Sequence, residues 1–155
     1  MSPRDEGRKV IATNRRARFD YLIEETVEAG IVLTGSEVKS LRAGRSSLSE
    51  SYARVRGGEM WLEGMHIPPY EHGKRQGYEE RRPRKLLLHR REIERLITKT
   101  AEKGLTLVPM QAYFSHGIAK VELGLGKGKR DVEKRQAIAA REAKREIEQR
   151  LGRRR

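Results

Sequence analysis

Cysteine is absent from this chain of 155 residues. Disulfides, thiolate nucleophiles and the usual Cys-containing zinc sites are thereby excluded. Long apolar runs are missing too. Nothing approaches the roughly 18 apolar residues of a membrane span, and there is no signal-peptide core or lipidation signal. A soluble, cytoplasmic chain without a membrane partner is expected. Aromatic residues make up only 5% and hydrophobic residues 35%, so the core must be small. What the chain has in excess is positive charge. Lys and Arg number 35 against 22 Asp and Glu, a net charge of +13. Such an excess favours polyanions, because each cation near a phosphate releases a condensed counterion.

Catalytic signatures are also scarce. Gly124, Gly126, Gly128 and Lys129 suggest a phosphate loop, but Leu123 stands where a Walker loop needs its first glycine, and Arg130 where it needs Ser or Thr. The pattern reads better as a flexible glycine hinge. His66, His72, His89 and His116 lack the spacing of familiar zinc sites. On a strand, Glu24 and Glu25 point to opposite faces, which argues against a carboxylate dyad. No enzyme, no metal and no cofactor are expected.

The pattern predicts a small fold, mainly β with helices. Residues 1–13 read as a mobile arm. Phe19, Tyr21 and Ile23 alternate as in a strand, and Ile31–Leu33 form another. Thr34 and Glu37 have capping-box spacing, which predicts a helix over about 35–43 ended by Gly44. Two alternating runs around Gly57-Gly58 predict a hairpin. Residues 71–84 read as an exposed loop. Ile93, Leu96, Ile97 and Thr100 share the face of a helix at 90–103, stopped by Gly104. Strands at 105–108, 111–114 and 119–123 follow, with Pro109 at a bulge or edge. Together these suggest a small closed antiparallel β-barrel of the oligonucleotide-binding type over 14–125, with two to three helices. Residues 126–155 form a separate tail. From Lys127 onward it carries 12 Lys or Arg against 5 Asp or Glu. Its composition favours helix, but its apolar residues make no broad stripe. It is expected to be disordered when free and helical on RNA.

The basic clusters are the informative part. Arg15, Arg16 and Arg18 precede the first long strand, Lys39 and Arg42 share a helix face, and Arg81, Arg82, Arg84 and Lys85 precede Leu86. They suggest a phosphate-tracking surface. Tyr21, Tyr70 and Tyr78 are available for stacking, whereas Tyr52, Trp61 and Tyr113 lie within strands and are expected in the core.

NRRARFDYLIEE (14–25), EAGIVLTGSEVKSLRAG (28–44), LSESYARVRGGEMWL (48–62), RKLLLHRREIERL (84–96), KGLTLVPM (103–110) and GIAKVELGLGKGK (117–129) resemble, in order, the SmpB family, the SsrA-binding proteins of bacteria. The resemblance implies a barrel that binds the tRNA-like domain of transfer-messenger RNA for trans-translation. It implies a monomer that meets elongation factor Tu through the RNA complex. It also implies a basic tail that enters the empty messenger channel of the ribosome, against small-subunit rRNA near the decoding centre. Asn14, Glu28 and Leu87 match family positions linked to RNA binding; Arg16, Arg18, Lys39, Arg42 and Lys85 lie in the same motifs. Gly126, Lys127, Gly128, Lys129 and Arg130 match the tail hinge, and Lys134 and Arg135 the basic pair after it. Val132 stands where relatives often carry His or Tyr, so a stacking role there is in question. Two other readings remain: a general single-strand-binding barrel and a nuclease.

Overall fold

The computed structural model describes residues 7–73, 75–129 and 131–153; the side chains at 131–134, 136, 137 and 153 lie outside that description. In chain order the elements are β1 (Arg8–Thr13), α1 (Ala17–Asp20), β2 (Tyr21–Ile31), α2 (Gly35–Arg42), β3 (Tyr52–Arg56) and β4 (Glu59–Glu63). Then come β5 (Arg84–Leu87), α3 (Arg90–Lys103), β6 (Thr106–Ser115), β7 (Ile118–Gly128) and α4 (Asp131–Arg153). The fold is mainly β, with four helices among the described residues rather than two or three. α1 is the unexpected one: it takes Phe19, which the alternating pattern put in a strand.

Local signals account for several boundaries. The Thr34 hydroxyl accepts the Glu37 N–H at 3.2 Å and the Glu37 carboxylate accepts the Thr34 N–H at 2.9 Å, so the capping box starts α2 as its spacing predicts. Gly57 and Gly58 both have positive φ (62° and 77°), which the tight β3–β4 hairpin requires. Pro109 sits at a register shift in β6, joining two expected strands into one bulged strand.

The seven strands among the described residues form one antiparallel sheet in the order β1, β6, β7, β2, β5, β4, β3. It is not closed, which corrects the expected closed barrel. β3 comes near β6, but no ladder joins them. The amino-terminal stretch is a second correction. Residues 8–13, read as part of a mobile arm, form β1 and pair with Gln111–Ser115 of β6. A strand has two edges, and that stretch of β6 already has β1 on one and β7 on the other. The short alternation in Lys-Val-Ile-Ala hid β1 among its charged neighbours.

The inner face of the sheet carries the core. Met60, Leu62, Leu86, Val121 and Leu123 are fully or almost fully buried there, and Leu96 of α3 joins them. A smaller cluster of Ala17, Val108 and Met110 seats α1 beside Tyr21 and Ile23. Glu25 accepts hydrogen bonds from Arg95 (2.5 Å) and Lys99 (2.7 Å), fixing α3 to β2.

The glycine hinge is a third correction. Gly126, Lys127 and Gly128 pair with Ile23, Leu22 and Tyr21, so β7 runs through the expected boundary at 125/126. Glycine is needed at 126 for close approach, not for flexibility. A Cβ there would lie 2.8 Å from the Leu22 carbonyl oxygen and 2.8 Å from Ile23 Cδ1. Lys129 then donates its N–H to Asp20 O (2.8 Å) and its Nζ to Arg18 O (2.8 Å), clamping the strand end to α1.

Beyond the clamp, Asp131–Arg153 form the helix α4. Its described side chains are exposed, and among them Arg141 reaches the sheet domain, 5.9 Å over the Phe19 ring. Its Ala-, Glu-, Lys- and Arg-rich composition favours that helix.

Candidate nucleic-acid interface

Opposed residues on neighbouring strands share a face. Val10 of β1 opposes Tyr113, Tyr113 opposes Lys120, Lys120 opposes Gly30, and Gly30 opposes Leu87 of β5. One row thus crosses five strands on the outer face. Its ends, Val10 and Leu87, are apolar and exposed (51% and 55%), and Lys120 lies between them. Leu87 packs over Gly30.

Glu28 stands two residues from Gly30 on that face. Its carboxylate accepts hydrogen bonds from the Tyr113 hydroxyl and from Lys120 Nζ (2.9 Å), and Arg8 lies 3.7 Å away. The Tyr113 hydrogen bond, followed by Lys120, holds the Glu28 carboxyl below its ordinary value. Burial, and then the same bond, pushes the Tyr113 phenol well above its own. The Arg8 guanidinium covers the Tyr113 ring at 3.7 Å. Tyr113 is therefore buried, as expected, but beneath Arg8 on the outer face and not in the main core. Glu28 is a charged organiser that aims Arg8 and Lys120, which fits the way a carboxylate in a basic surface orders its cations.

The outer face continues past Leu87. Lys85 opposes Trp61, and Trp61 opposes Arg54. Arg56 lies 5.0 Å over the Trp61 ring. Trp61 is half-buried and Tyr52 is 46% exposed, so neither fills the core. Strand alternation explains this correction: Ala53, Val55, Met60 and Leu62 take the inner positions and leave Tyr52, Arg54 and Trp61 outside.

Arg84 departs furthest from its expected place in a surface cluster. It is fully buried, and its Nε donates to Glu37 Oε2 at 2.6 Å. Its other donors reach Met65 O (2.7 Å) and Glu80 O (3.1 Å). Arg82 donates to Glu37 Oε1 at 2.6 Å. Burial raises the Glu37 carboxyl, but Thr34 N–H, Arg82 and Arg84 together outweigh it and hold the group below its usual range. Burial also lowers Arg84 against the pull of Glu37, so desolvation offsets part of what the pair contributes. The pair ties α2, with Lys39 and Arg42, to β5, with Lys85 and Leu87. Arg42 is exposed and lies 5.8 Å over the Phe114 ring.

The remaining candidates lie elsewhere. Asn14, Arg16 and Arg18 sit beside the root of the tail, at the Tyr21 end of β2. Glu28 and Gly30 are near its other end, about 23 Å and about 30 Å along the strand at about 3.3 Å per residue. The Asn14 side chain donates to Pro109 O (2.9 Å), holding the β6 bulge. Arg16 is exposed, 3.5 Å from Asp20 and 5.5 Å over Phe19. Lys127 is exposed at the end of β7, and Arg135 is exposed on α4. Arg130 and the side chains of Val132 and Lys134 lie outside the described residues.

Sequence reasoning missed Arg8, Val10 and Lys120. The alternation of Ala119, Val121 and Leu123 already put Lys120 on the opposite face; Arg8 and Val10 were hidden inside the supposed arm. Among the described residues, no His, Asp and Glu cluster is arranged to hold a metal. No helix among them is long and apolar enough to cross a membrane.

A family model described as SmpB protein matches residues 11–153. The SsrA-binding protein of Acidothermus cellulolyticus is 62% identical over 151 residues, covering 97% of this chain and 95% of that one. The SsrA-binding protein of Moorella thermoacetica is 63% identical over 140 residues, 90% of each. A chain from a solved structure described as "tmRNA-SmpB: a journey to the center of the bacterial ribosome" superposes with a TM-score of 0.65 at 52% identity. It covers 81% of this chain and 92% of that one.

Proposed function

The chain belongs to the SmpB family, and from that premise we propose that it is a non-catalytic RNA-binding factor of trans-translation. It binds transfer-messenger RNA and acts with it on stalled ribosomes. The outer face carries the tRNA-like domain, with Lys120, Arg8 and Lys85 on phosphates and Leu87 against the sugar edge. The Asn14–Arg18 segment and the basic tail, Lys127 to Arg155, turn toward ribosomal RNA and the vacant messenger channel near the decoding centre. Elongation factor Tu joins through the RNA, and the protein acts as a cytoplasmic monomer.

The observation that carries this reading is the five-strand row from Val10 to Leu87, with its charges held in place by Glu28. Such a face matches a folded RNA by shape and charge, without reading bases one by one. Competition binding at matched moderate salt tests it. The tRNA-like domain should bind far more tightly than a random duplex of equal length, with a steep salt dependence. Equal affinities would refute the reading. A second reading, a general single-strand binder, draws on Trp61 and Arg56 as a stacking platform. Unstructured RNA of the same length competing as well as the tRNA-like domain would favour it.

A further inference from the structure

The seam where the sheet fails to close holds a cleft of about 970 Å³. That is within the roughly 300–1,000 Å³ of small-ligand sites. Three segments form its walls: Thr13–Ala17, the 49–52 turn, and Thr106–Val108 of β6; Lys129 stands at the rim. β1 covers the β6 edge only over Gln111–Ser115, and β3 pairs with β4 alone. The Thr106–Val108 edge therefore faces the cleft with main-chain groups that no ladder uses.

Charge is arranged across this space. The side chain of Arg15 is exposed and has no partner among the described residues. Glu50, on the opposite wall, is also exposed and without a partner among them. Its φ of 62° is unusual for a residue with a Cβ. Gly64 backs it closely: a Cβ at that glycine would stand 3.0 Å from the Glu50 carbonyl oxygen. Strain of this kind collects at functional sites.

We propose that this cleft is a nucleotide pocket that takes one unstacked nucleotide of a bound RNA. Arg15 and Lys129 hold its phosphate. The base enters between the free β6 edge and Glu50, whose carboxylate accepts from an exocyclic amino group. Adenine, guanine and cytosine offer such a group; uracil does not. Single-stranded nucleotides are commonly recognised in this way, splayed from their stack and bonded along their base edges. The proposal rests on the chain binding RNA, but adds a site apart from the outer face.

The test is an amide-resolved NMR titration of the full chain with AMP, GMP, CMP and UMP, and with inorganic phosphate. Shifts are expected at residues 13–17, 49–52 and 106–108, larger for the three amino-bearing nucleotides than for UMP. Phosphate alone should move only signals near Arg15 and Lys129. Ser49→Trp, at an exposed position, should fill the cleft and abolish the nucleotide shifts while leaving the melting temperature unchanged. It should also weaken binding of the tRNA-like domain or ribosomal RNA about ten-fold, the scale of one base contact. Glu50→Gln should narrow the gap between CMP and UMP. No shifts at millimolar nucleotide, an equal response to phosphate alone, or undiminished shifts in Ser49→Trp would each overturn the proposal. If the wild-type protein still binds the tRNA-like domain, only the pocket fails; if it binds no RNA, the proposed function fails with it.

Discussion

Replacing Glu37 with glutamine takes one charge from a pair that water cannot reach. The two side chains are 2% and 0% exposed. Arg84 would keep its bonds to Met65 O and Glu80 O, but its charge would lose its counterion. Removing one partner of a buried pair costs about 3–5 kcal/mol. Total stability is on the order of 5–15 kcal/mol, so the variant should stay folded at 25 °C. For a chain of this size the melting temperature should fall by roughly 6–20 °C. Urea unfolding followed by the fluorescence of Trp61, the one tryptophan in the chain, measures the loss directly. Adding Arg84→Met to Glu37→Gln should recover part of it, because no uncompensated charge then remains. The sign of the pH effect follows from the depressed carboxyl. The ordinary value is 4.5, and the folded value lies below it. The contribution is fully present above pH 4.5 and is lost as pH falls through the folded value. Wild type should lose it in that window and Glu37→Gln should not. A cost under about 1 kcal/mol, or parallel pH curves for the two proteins, would refute the reasoning.

Truncation after Lys129 should leave the melting temperature of the sheet unchanged, whereas truncation after Leu125 should lower it by removing the rungs to Tyr21, Leu22 and Ile23. Gly126→Ala should destabilise by about 1–3 kcal/mol in urea unfolding, since the new Cβ meets the Leu22 carbonyl as well as the tip of Ile23, and the backbone cannot turn aside as a side chain can. Tyr113→Phe should raise the Glu28 carboxyl toward 4.5, as read by carbon-detected NMR titration. Lys120→Ala should reduce the slope of log affinity against log salt for the tRNA-like domain by about one unit.

The elements written in short-range chemistry were legible in the sequence. Thr34 and Glu37 announce α2, Gly57-Gly58 the hairpin, and Gly104 the end of α3, because caps and turns depend on neighbouring residues alone. The corrections concern contacts made over long sequence separations. β1 exists because Gln111–Ser115 offers an edge, which nothing within residues 8–13 reveals. Gly126 was taken for a hinge because glycine signals both flexibility and close approach, and only the position of Leu22 decides between them. Arg84 looked like its exposed neighbours until Glu37, 47 residues earlier, came to face it. The candidate site divides in the same way. Leu87 entered through the resemblance alone, Lys120 was missed although the alternation of its neighbours placed it, and the distance between Asn14 and Glu28 follows only from the length of β2.

The clamp at Lys129 turns the segment after it into a lever. α4 spans 23 residues, about 35 Å at about 1.5 Å per residue. It begins two residues after Lys129, which is held to α1. A helical tail of this kind gauges distance: a tilt of the sheet domain by about ten degrees would swing its tip by about 6 Å. On the proposed function, that swing would carry the orientation of the bound RNA to the tip of the tail.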